Sequence, residues 1–431
     1  TPMDLPLRLT LSLALFASAL ATAQPPEPEF DLLLKGGHLI DGKNGISAIR
    51  DVAMKDGRIA AVAPQIAASK ARKTVNVNGL YVTPGLVDIH VHVFQGPVRN
   101  SYANGDFGLF PDGYCLRNGV TTVVDAGSAG WRNFELFRTT VIDRARTRVL
   151  ALVNIAGYGM IGDGAEQGDF DPDAVAKLAA KHKDVIVGIK SAHYRKPDWD
   201  SVDEAVAAGT KANIPVMVDF GYFLTERPYF KLVTEHLRPG DISTHMFRAP
   251  VPWVDAQGKL YPFLNDARKR GIIFDVGHGG GSFVLRNAAG AIKNGFYPDT
   301  ISSDLHNGSM NGAFMDMPAL MSKLMALGMP LNEAVRASTW TPAEVIKHTE
   351  LGHLSVGAIA DIALLRVMQG EFGYWDNDTG KVIGKERLFC EMTIKDGRVA
   401  WDWNGRMGVD YHTLPSNYGL RPKVDNIVVP K

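Results

Sequence analysis

The feature that most constrains the fold of this chain is a series of short apolar runs separated by helix-forming segments and turns. The runs lie at residues 82–92, 119–125, 148–156, 185–190, 214–220, 241–247, 272–278 and 300–306. Buried strands of a parallel sheet read as continuous apolar runs, and crossover helices separate them along the chain. The number and order of these runs predict an α/β fold with a (β/α)8 TIM barrel.

A second pattern links the two ends of the chain. The turn Lys55-Asp56-Gly57-Arg58 lies between two strand-like runs, and the same four residue types return at 395–398. Asp-Gly between alternating apolar residues is a hairpin signal. We therefore expect a small β-sandwich built from residues 24–83 and 351–410, a barrel from 84–350 and a C-terminal tail from 411–431.

The first residues are typical of a secretory signal peptide. Residues 9–19 are nearly all apolar, and Ala21-Thr22-Ala23 offers a small-residue cleavage site. Such a segment is too short to remain as a membrane anchor. We expect residues 1–23 to be removed and the protein to be periplasmic or secreted, without a stable membrane anchor.

Charge and cysteine content narrow the classes of partner. Lys+Arg and Asp+Glu both number 46, so the formal net charge is zero, and no long basic run suggests a nucleic-acid partner. Cys115 and Cys390 are far apart in sequence and could either pair or remain buried thiols.

Polar residues occupy the ends of the apolar runs, where a barrel of this type carries its chemistry. His90 and His92 stand two residues apart in an extended segment, so both imidazoles point to one face and can share a divalent metal. The later run ends carry Lys190, Asp219, His245, His278 and Asp304. Singly, each has an ordinary explanation, such as a solvent-reaching lysine, a core histidine or a helix cap. Together they predict a metal site.

These residues bring the chain close to a known family. Thr83-Pro84-Gly85-Leu86-Val87-Asp88-Ile89-His90-Val91-His92, a lysine on strand 4, a histidine on strand 6 and an aspartate on strand 8 resemble the amidohydrolase superfamily. Residues 119–130, 274–283 and 301–306 look like its deacetylase and dihydroorotase-like members. The resemblance spans residues 30–402.

The resemblance implies two zinc ions per chain. His90, His92 and Asp304 would hold the more buried ion and His245 would help to hold the second. Lys190 would react with CO2, and its carbamate would bridge the ions and offset their repulsion. A hydroxide shared between the metals would attack the substrate carbonyl, with Asp304 as general base and then general acid.

One position departs from the family pattern. The resemblance implies a histidine at the end of strand 5, where this chain has Asp219. Three options stay open: Asp219 faces the second metal, since a carboxylate oxygen can bind zinc; His193 supplies the missing imidazole from a loop; or the site holds a single metal.

Four further residues are weaker candidates for substrate contacts. His278 precedes a glycine-rich turn and could donate a hydrogen bond to substrate, although the turn has a purely structural reading. His306 shares a strand face with Asp304 and could orient it. Tyr222 and Arg248 follow strands 5 and 6, where Arg248 could bind a substrate carboxylate or either could be a surface loop residue.

The sequence thus predicts a metal-dependent hydrolase of amide or ester bonds in small N-acyl or acetylated compounds. A cyclic amide hydrolase, of the dihydroorotase or hydantoinase kind, is the enzymatic alternative. A barrel that binds ligands without catalysis is the other. The expected partner is a small-molecule substrate, and a homo-oligomer is compatible with the family.

Overall fold

The computed structural model describes residues 27–94, 108–160, 168–313 and 316–420. The predicted signal peptide and residues 421–431 of the predicted tail lie outside these ranges. Within them, no helix combines the length and the apolar character needed to cross a membrane.

The strands fall into two sheets. In chain order they are β1 (Phe30–Asp41), β2 (Ile46–Lys55), β3 (Arg58–Ala63), β4 (Ala71–Asn76), β5 (Tyr81–Pro84), β6 (Leu86–Val91), β7 (Val120–Gly130), β8 (Arg148–Asn154), β9 (Ile186–Ser191), β10 (Val216–Val218), β11 (Ile242–Ser243), β12 (Ile273–Phe274), β13 (Ile362–Trp375), β14 (Lys381–Lys395) and β15 (Arg398–Asp402).

One sheet contains both ends of the chain. Its order is β15-β14-β13-β5-β1-β2-β3, with β4 paired to β1, and β13 runs antiparallel to β5. Both predicted hairpins are present: Asp56 and Gly57 have φ of 50° and 76°, and Asp396 and Gly397 have φ of 50° and 74°. Positive φ at both central residues is what a two-residue hairpin turn requires. The matching turns therefore identified two hairpins of a single sheet.

The other sheet is parallel and follows chain order from β6 to β12. Residues 300–306, which we expected to form a regular strand, make only two isolated parallel bridges, Thr300 with Asp275 and Leu305 with Val91. Asp304 has a φ of 50°, which interrupts an extended backbone. The segment nevertheless forms bridges at both edges of the sheet, to Val91 in β6 and to Asp275 directly after β12. The strands predicted at 214–220, 241–247 and 272–278 shrink to two or three paired residues each.

The run 82–92 is not one strand, as the sequence suggested, because the chain changes sheets at Gly85. Its amide donates to the Asp361 carbonyl at 2.8 Å, which separates β5 from β6. A Cβ on Gly85 would lie 2.2 Å from Thr121 Oγ1, so a side chain would collide with β7. Glycine allows this close passage between the two sheets.

Helices follow several strands of the parallel sheet. They span Phe134–Phe137, Pro172–Lys181, Asp200–Ala212, Tyr229–Lys231, Pro262–Lys269, Leu285–Lys293, Met317–Ala326, Leu331–Ala337 and Trp340–Val345. Asp171 followed by the run Ala174-Val175-Ala176-Lys177-Leu178 predicts a helix that starts at Asp171. The structure confirms this helix, and the Asp171 carboxylate accepts from the Ala174 amide at 2.9 Å. The sequence Ser201-Val202-Asp203-Glu204 has the pattern of a capping box and predicts a helix that begins at Ser201. This prediction is wrong. The buried hydroxyl of Ser201 instead lies 2.7 Å from Ser191 Oγ, and the helix begins at Asp200.

The core lies on both faces of the parallel sheet. Alternate apolar residues, among them Val87, Ile89, Leu150 and Leu152, form a compact cluster on one face, as the two-residue repeat of a strand dictates. A larger cluster joins the other face to the helices. The two cysteines are free and buried, and burial raises the pKa of both thiols.

The Asp171 cap gives a stability prediction. Asp171→Ala removes the acceptor for a helix amide and should destabilise Pro172–Lys181 by about 1 kcal/mol. Amide hydrogen exchange in this helix should then rise about fivefold. The exposed Lys177→Ala on the same helix is the matched control and should leave exchange unchanged. Equal rates in both variants would contradict the cap.

Candidate metal centre

A cavity of 290 Å³ opens at the carboxyl ends of the parallel strands. It collects most of the predicted site residues, although they come from distant parts of the chain. Its lining comprises His92, Met160, Lys190, His193, Asp219, His245, Arg248, Gly280, Gly281, Ser282, Asp304 and His306. The cavity is small enough to suit a compact substrate.

His90, His92 and Asp304 form a buried group at this cavity. Each offers one donor atom, and these atoms all lie within 4.8 Å of one another. Asp304 Oδ1 is 3.1 Å from His92 Nε2 and 3.5 Å from His90 Nε2. Two imidazoles and a carboxylate are a donor set that suits zinc, so the residues present fit a metal.

Hydrogen bonds behind the two histidines fix which ring nitrogen faces the cavity. Thr244 Oγ1 donates to Asp275 Oδ2 at 2.6 Å and lies 2.9 Å from His90 Nδ1, so that nitrogen must carry the proton. His92 Nδ1 lies 2.9 Å from Ser128 Oγ. In both rings Nε2 is left for the metal side.

The charge state of the group follows from its burial. Burial, with Lys190 nearby, lowers the pKa of His90 to about 3, which keeps the ring neutral. Burial alone would raise the pKa of Asp304, but His90 and His92 hold that pKa well below its usual range. Neutral imidazoles and an ionised carboxylate are the forms that bind a metal.

Lys190 lies beside this group at the end of β9. Its Nζ is 3.1 Å from His90 Nε2 and 3.4 Å from Met217 Sδ. Burial lowers the pKa of this amine and so favours its neutral form. A Cβ on Gly127 would lie 2.6 Å from the Lys190 Cβ, so glycine makes room for the lysine stem.

Asp219 also lines the cavity and has three partners there. Its Oδ1 accepts from Arg248 Nη1 at 2.7 Å, and its Oδ2 is 3.3 Å from His193 Nε2 and 3.4 Å from His245 Nε2. Burial would raise the pKa of Asp219, but Arg248 and His245 hold it well below the usual range. His245 Nδ1 lies 2.6 Å from the Gly277 carbonyl, which leaves Nε2 toward the cavity.

The backbone at the site is strained. His193, His245 and Asp304 have φ of 58°, 57° and 50°, a region that residues with a side chain seldom occupy. Such conformations persist only where surrounding contacts impose them, and they concentrate at functional sites.

Of the four weaker candidates for substrate contacts, two line the cavity and two do not. Arg248 and His306 line the cavity, so Arg248 is not a surface loop residue. His306 Nδ1 accepts from the Gly308 amide at 3.0 Å. Tyr222 is not among the lining residues and packs under the Arg195 guanidinium, 4.9 Å from the ring centre.

The prediction that His278 contacts substrate is wrong. His278 is fully buried, stacks on Phe283 and lies outside the cavity lining, so it does not meet substrate there. Its Nε2 is 2.7 Å from Lys323 Nζ, which also donates to the carbonyls of Ala313 and Trp375. Sequence reasoning missed Lys323, since a lysine within an apolar helix gives no signal of this role.

Comparisons with known proteins identify the class. The amidohydrolase family model matches residues 282–398. A deacetylase from Brucella anthropi is 33% identical over 348 residues, covering 78% of this chain and 83% of that protein. A solved adenine deaminase has a TM-score of 0.78 at 29% identity, covering 86% of this chain and all of that one. A solved dihydroorotase has a TM-score of 0.71 at 28% identity, covering 85% and 98%.

The chain belongs to the amidohydrolase superfamily. It is a metal-dependent hydrolase that acts on carbon–nitrogen bonds of small molecules.

Gly279 supplies a test of the site geometry. Its φ is 51° and a Cβ there would lie 2.0 Å from Asp304 Oδ2, so Gly279→Ala should displace the carboxylate. We expect at least a tenfold loss of metal affinity, measured by titration with zinc. In the same loop, a Cβ on Gly281 would meet nothing within 4 Å, so Gly281→Ala is the control. Equal zinc affinity in the two variants would remove Asp304 from the metal site.

Proposed function

We propose that this enzyme hydrolyses amide or ester bonds in small N-acyl or acetylated compounds. The observation that carries the proposal is the buried group of His90, His92 and Asp304 at a 290 Å³ cavity. The relative from Brucella anthropi, which covers most of the chain, is a deacetylase, and this supports acyl transfer to water.

His90, His92 and Asp304 would hold a zinc ion. Neutral Nε2 atoms and a carboxylate oxygen match the ligands that zinc prefers, and the hydroxyl partners behind the rings hold them in place. When bound, the ion would polarise the substrate carbonyl and favour ionisation of water.

Lys190 would be present as a carbamate. A neutral, buried amine can attack CO2: the nitrogen forms a bond to carbon, one carbon–oxygen π bond opens to place its electron pair on oxygen, and an N–H proton passes to water, which leaves an anionic carbamate. Burial lowers the pKa of Lys190 and so supports the first requirement. The resulting anion would offset positive charge in a cavity that also contains Arg248.

Asp304 would move the proton. Its carboxylate lies at the cavity and is ionised, so it can accept a proton from the attacking water and return it to the leaving nitrogen or oxygen. Its strained backbone, with a φ of 50°, is consistent with an imposed orientation.

Two other carbon–nitrogen reactions are represented among the similar structures. The dihydroorotase likeness favours a cyclic amide hydrolase as the second candidate, and the adenine deaminase likeness makes deamination a necessary control. We further propose that residues 300–306, which form bridges to Val91 in β6 and to Asp275 directly after β12, complete a (β/α)8 barrel.

A substrate panel tests the proposed function. The zinc-loaded enzyme should hydrolyse N-acetyl amino acids or acetyl esters at least a hundredfold faster than dihydroorotate, hydantoin or adenine, measured by product release. Faster turnover of dihydroorotate or hydantoin would favour a cyclic amide hydrolase instead. Turnover of adenine alone would contradict hydrolysis of an acyl group.

Lys190→Ala is the catalytic control for this panel. It should reduce turnover at least a hundredfold, since the carbamate is lost, while the exposed Lys177→Ala should retain full activity. Full turnover by Lys190→Ala would contradict the carbamate.

A further inference from the structure

The position where the family resemblance implies a second metal ion has a different set of side chains in this chain. The chain has Asp219 there in place of a histidine, and Asp219 is already surrounded by donors. One carboxylate oxygen accepts from Arg248 at 2.7 Å, and the other lies between His193 at 3.3 Å and His245 at 3.4 Å. The carboxylate is thus held by protein groups on both of its oxygens.

Arg248 is fixed in the cavity wall. Besides Asp219, it donates from Nε and Nη2 to Ser282 Oγ at 3.2 and 2.8 Å. Only 17% of its side chain is exposed. A guanidinium has five N–H groups, and the three hydrogen bonds that it makes to described residues leave two of them unused.

The donor geometry differs between the two halves of the cavity. Within the described ranges, His90, His92 and Asp304 are the one group of three donors whose atoms all lie within 4.8 Å of one another. His193 and His245 approach a single oxygen of Asp219 instead. A dication placed there would stand beside the guanidinium that holds the other oxygen of the same carboxylate, and the two positive charges would repel each other.

We propose that the centre binds one metal ion and that the Arg248 guanidinium, held by Asp219 and Ser282, takes the place of the second. This rests on the proposed metal site of His90, His92 and Asp304. The guanidinium would supply a fixed positive charge for the proposed carbamate of Lys190, a residue that lines the same cavity, and for the substrate oxygen. Paired N–H groups of arginine suit such anionic oxygens.

Metal analysis of the wild-type enzyme tests this directly. Protein saturated with zinc and bicarbonate, then freed of excess metal, should contain one zinc per chain. Two zinc ions per chain would overturn the single-ion inference and leave the proposed function standing. No zinc would overturn the proposed function, and the inference with it.

Charge-altering variants test the role of the arginine. Asp219→His restores the ligand that the family has but keeps the guanidinium, so it should still bind one ion. Asp219→His combined with Arg248→Met removes the competing charge and should bind two. If the double variant binds only one ion, the proposal that Arg248 takes the place of the second metal ion is overturned. Arg286→Met, at an exposed arginine outside the cavity, is the control and should bind one ion.

A measurement on the unaltered chain covers the case in which the double variant does not fold. Wild-type enzyme titrated with Co²⁺ should give the electron paramagnetic resonance signal of an isolated ion, which stops growing at one equivalent. Loss of that signal by spin coupling at the second equivalent would show two adjacent ions and overturn the inference.

Discussion

Buried carboxylates behind the histidines hold the metal centre in shape. Asp275 accepts from the hydroxyls of Thr244 at 2.6 Å, Thr300 at 2.5 Å and Ser302 at 2.7 Å, and so connects three segments at one point. A buried carboxylate costs free energy unless it is hydrogen-bonded, so the loss of any one of these hydroxyls would destabilise the whole network. Because Thr244 also contacts His90, the orientation of a metal-facing ring depends on this network.

Asp88 and Asp125 are two further buried carboxyls, and they hold the backbone around His90 and His92. Asp88 Oδ1 accepts from the amides of His90 at 3.2 Å and Ser303 at 3.0 Å, which ties β6 to the segment that carries Asp304. Asp125 accepts from the amides of Val93 and Ser128. Burial raises the pKa of Asp88 to about 7. Neither Asp88 nor Asp125 lines the cavity, so the site depends on polar groups that do not contact substrate.

Much of the architecture could be read from the sequence because it follows from local patterns. Apolar runs predicted the parallel strands, and Asp-Gly turns predicted the two hairpins that the chain ends contribute to one sheet. What failed depended on tertiary contacts. The sheet change at Gly85 follows from the passage beside Thr121, and the start of the helix at Asp200 follows from the burial of Ser201. Neither contact leaves a mark in the local sequence.

The candidate site shows the same division. His90, His92, Lys190, His245 and Asp304 were predicted from strand-end positions and family motifs, and all lie in or directly beneath one cavity. The pairing of Asp219 with Arg248 was not, because 29 residues separate them and only the fold brings them together. Thr244 and Lys323 were missed since a threonine and a helical lysine are common residues, whose roles depend on what they contact.

The most direct test of a metal held by His90, His92 and Asp304 is a crystal structure of the zinc-loaded enzyme with data at the zinc absorption edge. The account predicts an anomalous peak about 2.0–2.2 Å from His90 Nε2, His92 Nε2 and a carboxylate oxygen of Asp304. A zinc-loaded crystal with no peak at these three residues, or with its peak elsewhere in the chain, would contradict it.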